Sequence, residues 1–231
     1  MYSRAAILCA ALLAVSAVLA ADDKPAPDKP APEKPVPDKP APEKPKAVLK
    51  EGADLPGSFR PYNVANGKYE KKFHSVTNEH GLNPGVLIFA QNPKIDDQDQ
   101  RLPQLLRELD KYIVDRPKTR LRAFAVFLYN DLADVVKDDD VRESHLDALG
   151  KLKSDEKQPL HEVVLCLDSA PALQKAGYEI DPQWQVVVVL YDKLKVTKIY
   201  RYSEEAKSEE AKRDVEAIMT EVRTNLAPFK K

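Results

Sequence analysis

The sequence predicts a three-layer α/β/α sandwich built on a mixed sheet. Two observations support this fold class. Four short apolar runs, typical of strands buried on both faces, alternate with stretches whose apolar residues recur at helical spacing. A fifth strand-like run follows the fourth after a tight connection, which predicts a closing antiparallel hairpin. Buried strands joined through helices are expected to pair in parallel.

Each predicted element is justified by its own residues. Pro117 ends the first long helix, because proline lacks the amide hydrogen that a helix interior requires. Asp168-Ser169 caps a short helix that carries Pro171 in its first turn and stops at Gly177. In order, the predicted elements are a small hairpin around Asn66-Gly67 (62–65 with 68–73), strand 86–90, helix 102–113, strand 122–129, helix 141–152, strand 163–167, the short helix, strand 185–191, strand 196–202, and a last helix that opens at 203–205 and carries an apolar stripe from Val215 to Leu226.

Composition removes several classes of protein. The chain has 231 residues, with 36 Lys and Arg against 37 Asp and Glu, so no global basic excess points to nucleic acid. Two cysteines are too few for a disulfide scaffold or a four-ligand zinc site. A hydrophobic content of 43% is enough for a buried core.

Residues 1–20 are predicted to be a secretory signal peptide. One positive charge, Arg4, precedes an apolar run from Ala5 to Ala20 that ends in small residues, and acids follow directly. We expect cleavage after Ala20 or Ala21 and export to the periplasm or the extracellular space. The alternative is a retained membrane anchor, which is disfavoured because the run is shorter than the roughly 20 residues that span a bilayer.

Residues 21–49 are predicted to be a disordered tether. The motif Asp/Glu-Lys-Pro-Ala/Val-Pro recurs there, and nine of the 19 prolines lie between Pro25 and Pro45. Proline fixes φ and removes amide donors, which leaves polyproline II as the regular conformation. Such a segment has a reach on the order of 75 Å. Besides acting as a spacer, it is open to being a ligand for a partner domain or an envelope polymer.

The folded part, residues 50–231, resembles the thioredoxin-like superfamily, nearest its redoxin and peroxiredoxin branch. The resemblance covers most of residues 52–226. It implies thiol–disulfide or peroxidase chemistry, in which a cysteine after the first core strand is held as a thiolate at the start of the next helix. Three stretches carry it: Val86–Ala90 with Leu102–Leu106, Leu165–Asp168 through Tyr178, and Val188–Lys193 with Lys195-Val196.

The segment that corresponds to this active site, residues 91–100, contains no cysteine. Its aspartates would also oppose a thiolate, because like charges repel. The proline that the family places before the first strand of the hairpin is missing too, since that place falls within 185–187 and Pro182 lies earlier. The predicted degenerate active-site residues are Gln91, Asn92, Pro93, Asp96 and Asp97.

A second alignment, with exported redoxin-like domains, is carried by the stretch Gly81-Leu82-Asn83-Pro84. It would put His74 and Thr77 at the two positions of a Cys-x-x-Cys pair that lies upstream of this stretch. His74 and Thr77 are therefore the alternative degenerate pair. Either alignment leaves the dithiol absent.

Cys166 is the single thiol of the exported chain, because Cys9 lies within the signal peptide. Cys166 falls in a predicted strand among apolar residues, where we expect a small buried side chain with a raised pKa. It is nevertheless the one candidate for thiol catalysis. His74 and His80 are six residues apart in a predicted loop and define no metal geometry, and we predict neither a metal nor a cofactor.

These observations favour an exported thioredoxin-fold protein that lacks the redox dithiol and acts as a non-catalytic binding or structural module of the cell envelope. Its partner would be an unidentified protein or envelope component, with no nucleic acid and no stable membrane span after signal cleavage. The alternative is a divergent thiol–disulfide oxidoreductase or peroxiredoxin-like peroxidase, which the resemblance alone supports. A third hypothesis makes the tether the active part, in binding an envelope polymer.

Overall fold

A computed structural model describes residues 49–95, 100–155, 158–202 and 208–228. A 3-10 turn at Pro117–Thr119 precedes the third strand, and the last helix continues through Val222–Leu226 as a π-helix. The elements are β1 (Tyr62–Ala65), α1 (Val76–His80), β2 (Gly85–Gln91), α2 (Arg101–Asp115), β3 (Arg122–Leu128), α3 (Asp139–Lys153), β4 (Val164–Asp168), α4 (Ala170–Lys175), β5 (Val186–Asp192), β6 (Lys195–Tyr202) and α5 (Ser208–Glu221).

The strands form one mixed sheet in the order β1-β4-β3-β2-β5-β6. As predicted, β2, β3 and β4 are parallel, with Gly85 opposite Arg122 and Phe124 opposite Val164. The predicted hairpin of β5 and β6 is also present. Because β2, β3 and β4 run the same way, their carboxyl ends meet at one edge of the sheet and their amino ends at the other.

The expectation that helix-joined strands pair in parallel is wrong for β5. Its apolar run indicates burial on both faces but carries no information on direction. The connection through α4 takes the chain from β4 to the far side of β2, where β5 enters the sheet antiparallel to β2. β1 is likewise antiparallel, to its neighbour β4.

The small hairpin expected around Asn66-Gly67 is only partly formed. Both turn residues have the positive φ angles that the turn requires, 66° and 75°. The first arm is β1, but the second arm, 68–73, is not a strand. It contacts β1 through a few backbone hydrogen bonds, among them the one from Asn63 N–H to Lys72 O at 2.9 Å.

Alternate residues of the central strands pack into two hydrophobic cores on opposite faces of the sheet. In β2, Val86 and Ile88 face the first core, whereas Leu87 and Phe89 face the second. Side chains of α2, α3 and α5 complete the first core, and side chains of α1 and α4 join the second. Helices therefore cover both faces, and the predicted three-layer arrangement is confirmed.

Asp110 connects α2 to the start of β4. Its Oδ1 accepts hydrogen bonds from the backbone N–H groups of His161, Glu162 and Val163 at 2.9, 2.7 and 2.9 Å. The carboxylate is buried, and the three amides replace the water that it loses. This contact fixes α2 over the sheet at the amino end of the parallel strands.

Leu49 belongs to the folded part of the chain, although the predicted tether extends to it. Its side chain is buried in the second core. Gly52 N–H donates to Val196 O at 2.8 Å, and Val196 N–H donates to Ala53 O at 2.9 Å, along the outer edge of β6. This segment thereby covers part of an edge strand that would otherwise present unpaired backbone groups.

Several predicted features lie outside the described residues: the signal peptide, the tether up to residue 48, Asp96 and Asp97, and the helix start at 203–205. Within the described ranges, no helix is both long and apolar enough to cross a bilayer.

Candidate functional site

Gln91 lies at the carboxyl end of β2, where the thioredoxin-like resemblance would put the segment that leads to a catalytic thiol. Its side-chain Nε2 donates to the carbonyl oxygens of Asp181 at 3.0 Å and Trp184 at 2.6 Å. Its backbone N–H donates to Gln185 O at 2.8 Å. Gln91 therefore fastens the loop before β5 to the end of β2.

Asn92 makes the corresponding connection to β3. Its backbone N–H donates to Leu128 O at 2.8 Å, and its Oδ1 accepts a hydrogen bond from Asn130 N–H at 2.8 Å. Its φ of 43° falls in the left-handed region, which asparagine tolerates better than most residues. The polar groups at the end of β2 are thus used to hold neighbouring loops in place.

Arg101 occupies the first position of α2, close to where the family holds its thiolate. The residue is 7% exposed, and its Nη2 and Nε lie 2.6 and 2.8 Å from Asp214 Oδ2 of α5. The guanidinium carbon lies 3.9 Å from the centre of the Tyr202 ring of β6. Burial, together with the charge of Asp214, raises the pKa of Tyr202 to about 12, and Arg101 opposes the shift. A buried ion pair therefore occupies the start of α2, and no thiol stands there.

A cavity of about 20 Å³ remains between the start of α2 and the loop before β5. This volume is enough for a water molecule but not for a peptide or a disulfide substrate. Gln185 and Val186 stand where the family has its proline, and Pro182 lies in the loop before them. The lining residues are Pro93, Lys94, Gln100, Arg101, Leu102, Gln185 and Val186.

Cys166 lies in the middle of β4 with no solvent-exposed surface. Its Sγ donates a hydrogen bond to Asn63 Oδ1 of β1 at 3.1 Å. Burial raises the pKa of the thiol well above its usual value, and the nearby carboxylate of Asp168 adds to the shift. A nucleophilic thiolate is therefore strongly disfavoured at this position.

Asp168 lies two residues after Cys166, at the carboxyl end of β4. It is 5% exposed, and its Oδ1 accepts the backbone N–H of Ser169 at 2.8 Å. Burial raises its pKa to about 6, against the opposing effect of that hydrogen bond. It is the one buried carboxyl group of the described residues whose pKa is raised into the neutral range.

His74 precedes α1 and Thr77 lies within it, before the chain enters β2. The His74 ring stacks on Tyr69 with 3.7 Å between ring centres, and its Nε2 is in close contact with Glu79 Oε2. Its backbone N–H donates to Pro61 O at 3.2 Å, just before β1. Thr77 is buried.

His80 lies near the same carboxylate, with its Nε2 3.9 Å from Glu79 Oε2. Burial lowers the pKa of the His80 imidazole, the charge of Glu79 raises it, and Arg122 and His74 lower it again. Although these groups are close together, no three His, Cys, Asp or Glu side chains in the described part of the chain are placed to share a metal ion.

The network of polar contacts around the start of α2 is not evident from the sequence. One signal was present, since a basic residue at the first position of a helix is unfavourable unless a partner neutralises it. That partner, Asp214, is 113 residues away in the chain, and no local spacing identifies it. The role of Gln91 was missed for the same reason, because its acceptors lie in a loop that the sequence shows only as irregular.

No protein-family model matches the sequence, and no curated protein matches it. Three solved structures that are similar over most of the chain are a DsbE-type thiol:disulfide interchange protein of Chlorobium tepidum, the yeast mitochondrial 1-Cys peroxiredoxin and the thiol peroxidase of Chromobacterium violaceum. Their identities are 13%, 16% and 12%, and their TM-scores are 0.47, 0.45 and 0.40. The matches cover 77%, 76% and 76% of this chain and 99%, 78% and 90% of the others.

The strand order and directions themselves establish the fold class. A parallel β2–β3 pair is followed along the sheet by the antiparallel hairpin β5–β6 on the other side of β2. The helix that follows β2 and the last helix pack into the same core. This chain therefore has a thioredoxin-like fold, as its sequence predicted.

Proposed function

We propose that this protein is an exported, non-catalytic binding or structural module of the cell envelope. The observation that carries the proposal is the buried ion pair of Arg101 with Asp214 at the start of α2, where thiol chemistry on this fold would need an accessible thiolate. The export step and the envelope location rest on the signal-peptide pattern of residues 1–20.

Two further features support the absence of thiol catalysis. The thiol of Cys166 is enclosed in the sheet, and its pKa is raised by burial. The cavity beside α2 is too small for a peptide disulfide.

The alternative is a divergent thiol–disulfide oxidoreductase or peroxidase that uses Cys166. Only the fold class favours it, and a fold class hosts many functions. The two proposals differ in one measurable property, because the alternative requires turnover that depends on Cys166.

The test measures insulin reduction and peroxide consumption by residues 21–231, in which Cys166 is the single thiol. We expect rates equal to those of the buffer with dithiothreitol, both for this chain and for Cys166→Ser. A thiol peroxidase assayed in parallel verifies that the reagents are active. Turnover above the buffer rate that disappears in Cys166→Ser would establish the alternative and overturn the proposal.

A further inference from the structure

Two leucine side chains are exposed at the edge of the sheet where the parallel strands begin, and that of Leu194 also packs against Gly81. Leu82, in the loop before β2, is 75% exposed, and Leu194, in the turn between β5 and β6, is 38% exposed. The two segments touch, because Leu194 N–H donates to Gly81 O at 2.7 Å. Exposed leucines that protrude together from neighbouring loops are unusual on a surface that contacts only water.

The turn that carries Leu194 has a strained backbone held in place from two sides. Lys193 and Leu194 have φ angles of 50° and 65°, the left-handed region in which Asn or Gly is the usual residue. Besides the hydrogen bond to Gly81, Leu194 O accepts the N–H of Leu55 at 2.6 Å. An unfavourable residue on a rigid support points to a role for its exposed side chain.

Four cations lie at the same edge of the sheet. Lys193 and Lys195 flank Leu194, and Lys118 and Arg120 lie in the turn that leads into β3. All four are exposed, and none forms an ion pair with a carboxylate of the described residues. The start of β3 is joined to the Leu82 loop by the hydrogen bond from Arg122 N–H to Pro84 O at 3.1 Å.

Of the acids at this edge, two contact other partners and two lie beside the hairpin turn without an ion pair. Glu162 is paired with Arg122 at 3.3 Å, and Glu79 contacts His74. Asp54 and Asp192 lie beside the hairpin turn, and neither reaches ion-pair distance of a lysine there within the described residues. We define the amino-end patch as Leu82, Leu194, Lys118, Arg120, Lys193 and Lys195.

We propose that the amino-end patch docks on the surface of an anionic lipid bilayer. The leucines would enter the boundary between headgroups and acyl chains, and the cations would contact lipid phosphates. A soluble polyanion would satisfy the cations but would leave the two leucines in water, which is why the observations favour a bilayer. The inference rests on the proposed function only in placing the protein in the cell envelope.

The test measures the partition of residues 21–231, which include every described residue, onto vesicles of equal parts phosphatidylglycerol and phosphatidylcholine. We expect binding that weakens as salt rises from 50 to 500 mM, because salt screens the cations. We also expect Lys193→Gln with Lys195→Gln, and separately Leu82→Ser with Leu194→Asn, to lower the partition coefficient roughly tenfold each. Asparagine suits the left-handed φ at position 194, so that variant keeps the turn.

Matched control variants alter the opposite edge of the sheet. Lys94→Gln with Lys137→Gln removes two charges there, and Val136→Ser removes an apolar side chain that is 62% exposed. The controls should bind vesicles as the unaltered chain does. Equal partition of the patch and control variants onto vesicles would overturn the lipid inference. So would binding of the protein to heparin together with a leucine variant that partitions onto vesicles as the unaltered chain does. Since the thiol assays do not involve this edge, their result distinguishes failure of the proposed function from failure of this inference.

Discussion

At the scale of single residues, the two buried tyrosine hydroxyls of the second core are a direct test of its packing. Tyr178 and Tyr191 have no exposed surface, and neither hydroxyl has a hydrogen-bond partner among the described residues. Tyr112, by contrast, donates its hydroxyl hydrogen to Ala227 O at 2.7 Å. An unpaired buried hydroxyl costs free energy that a paired one does not.

We therefore expect Tyr191→Phe to leave the free energy of unfolding unchanged or to raise it by up to about 1 kcal/mol. Tyr112→Phe, the matched control, should lower it by about 1 kcal/mol, because it removes a buried hydrogen bond. Urea denaturation at one pH measures both variants. A loss in Tyr191→Phe as large as that in Tyr112→Phe would mean that a bound water pairs the Tyr191 hydroxyl.

Asp168 makes the stability of the fold depend on pH. Its pKa is about 6 in the folded protein against an ordinary value of 3.8, so the unfolded chain gives up this proton first as pH rises. Below pH 3.8 the carboxyl group is protonated in both the folded and the unfolded chain and does not affect the free energy of unfolding. The free energy of unfolding then falls as pH rises through about 6. Asp168→Asn should therefore be more stable than the unaltered chain at pH 7, by on the order of 3 kcal/mol, and equally stable at pH 3.5.

Asp134 provides a control of opposite sign for that experiment. The backbone N–H of Val136 is the largest cause that lowers the pKa of its exposed carboxylate. Its contribution is present at neutral pH and lost as pH falls, so Asp134→Asn should destabilise at pH 7 and have no effect in acid. Parallel pH profiles for Asp168→Asn and the unaltered chain, from thermal melts, would contradict the raised pKa.

At the scale of elements, the ion pair of Arg101 with Asp214 joins α2 to α5 across the first core. Removing one partner deprives the other, buried or partly buried, charge of this ion pair, so Arg101→Met and Asp214→Asn should each lower the free energy of unfolding by about 2–4 kcal/mol. The double variant should cost at least about 1 kcal/mol less than the sum. Urea denaturation of the four proteins gives this coupling energy.

The pair of Arg122 with Glu162 is the matched control for the coupling. Its atoms are 3.3 Å apart, and its side chains are 43% and 44% exposed. Solvent screens such a pair, so a double-mutant cycle there should give a coupling below about 1 kcal/mol. If the cycle at Arg101 and Asp214 gave no more than this control, the start of α2 would be open enough to reconsider a site there.

The elements also show what the sequence could and could not predict. Apolar runs such as Val86–Ala90 identify strands buried on both faces, and the stripe that begins at Leu102 identifies α2, because both patterns are local. The antiparallel entry of β5 was beyond the sequence, since strand direction depends on which neighbour the strand pairs with. The absence of a thiol after β2 is a local property and could be predicted from the sequence. The ion pair of Arg101 with Asp214 could not, because its two residues are far apart in the chain.

At the scale of the whole molecule, the two edges of the parallel strands differ in how their polar groups are used. At the carboxyl edge, Gln91, Asn92 and Arg101 are bonded to neighbouring elements. At the amino edge, Lys193 and Lys195 are exposed beside Leu194. The proposed docking surface therefore lies at the edge opposite Gln91 and Arg101.

The cooperativity of the whole sheet can be measured through its single enclosed thiol. Cys166 lies in β4 between β1 and β3, and its side chain is buried in the second core, so a thiol reagent reaches it only when that core opens. In residues 21–231 we expect the free energy derived from the labelling rate under native conditions to equal the free energy of global unfolding from urea denaturation. Asn63→Ala, which removes the acceptor of the Cys166 hydrogen bond, should speed labelling only in proportion to its loss of global stability. Labelling that is faster than global unfolding allows and does not respond to low urea would instead show that the second core opens locally, and that Cys166 is accessible to reagents in the folded protein.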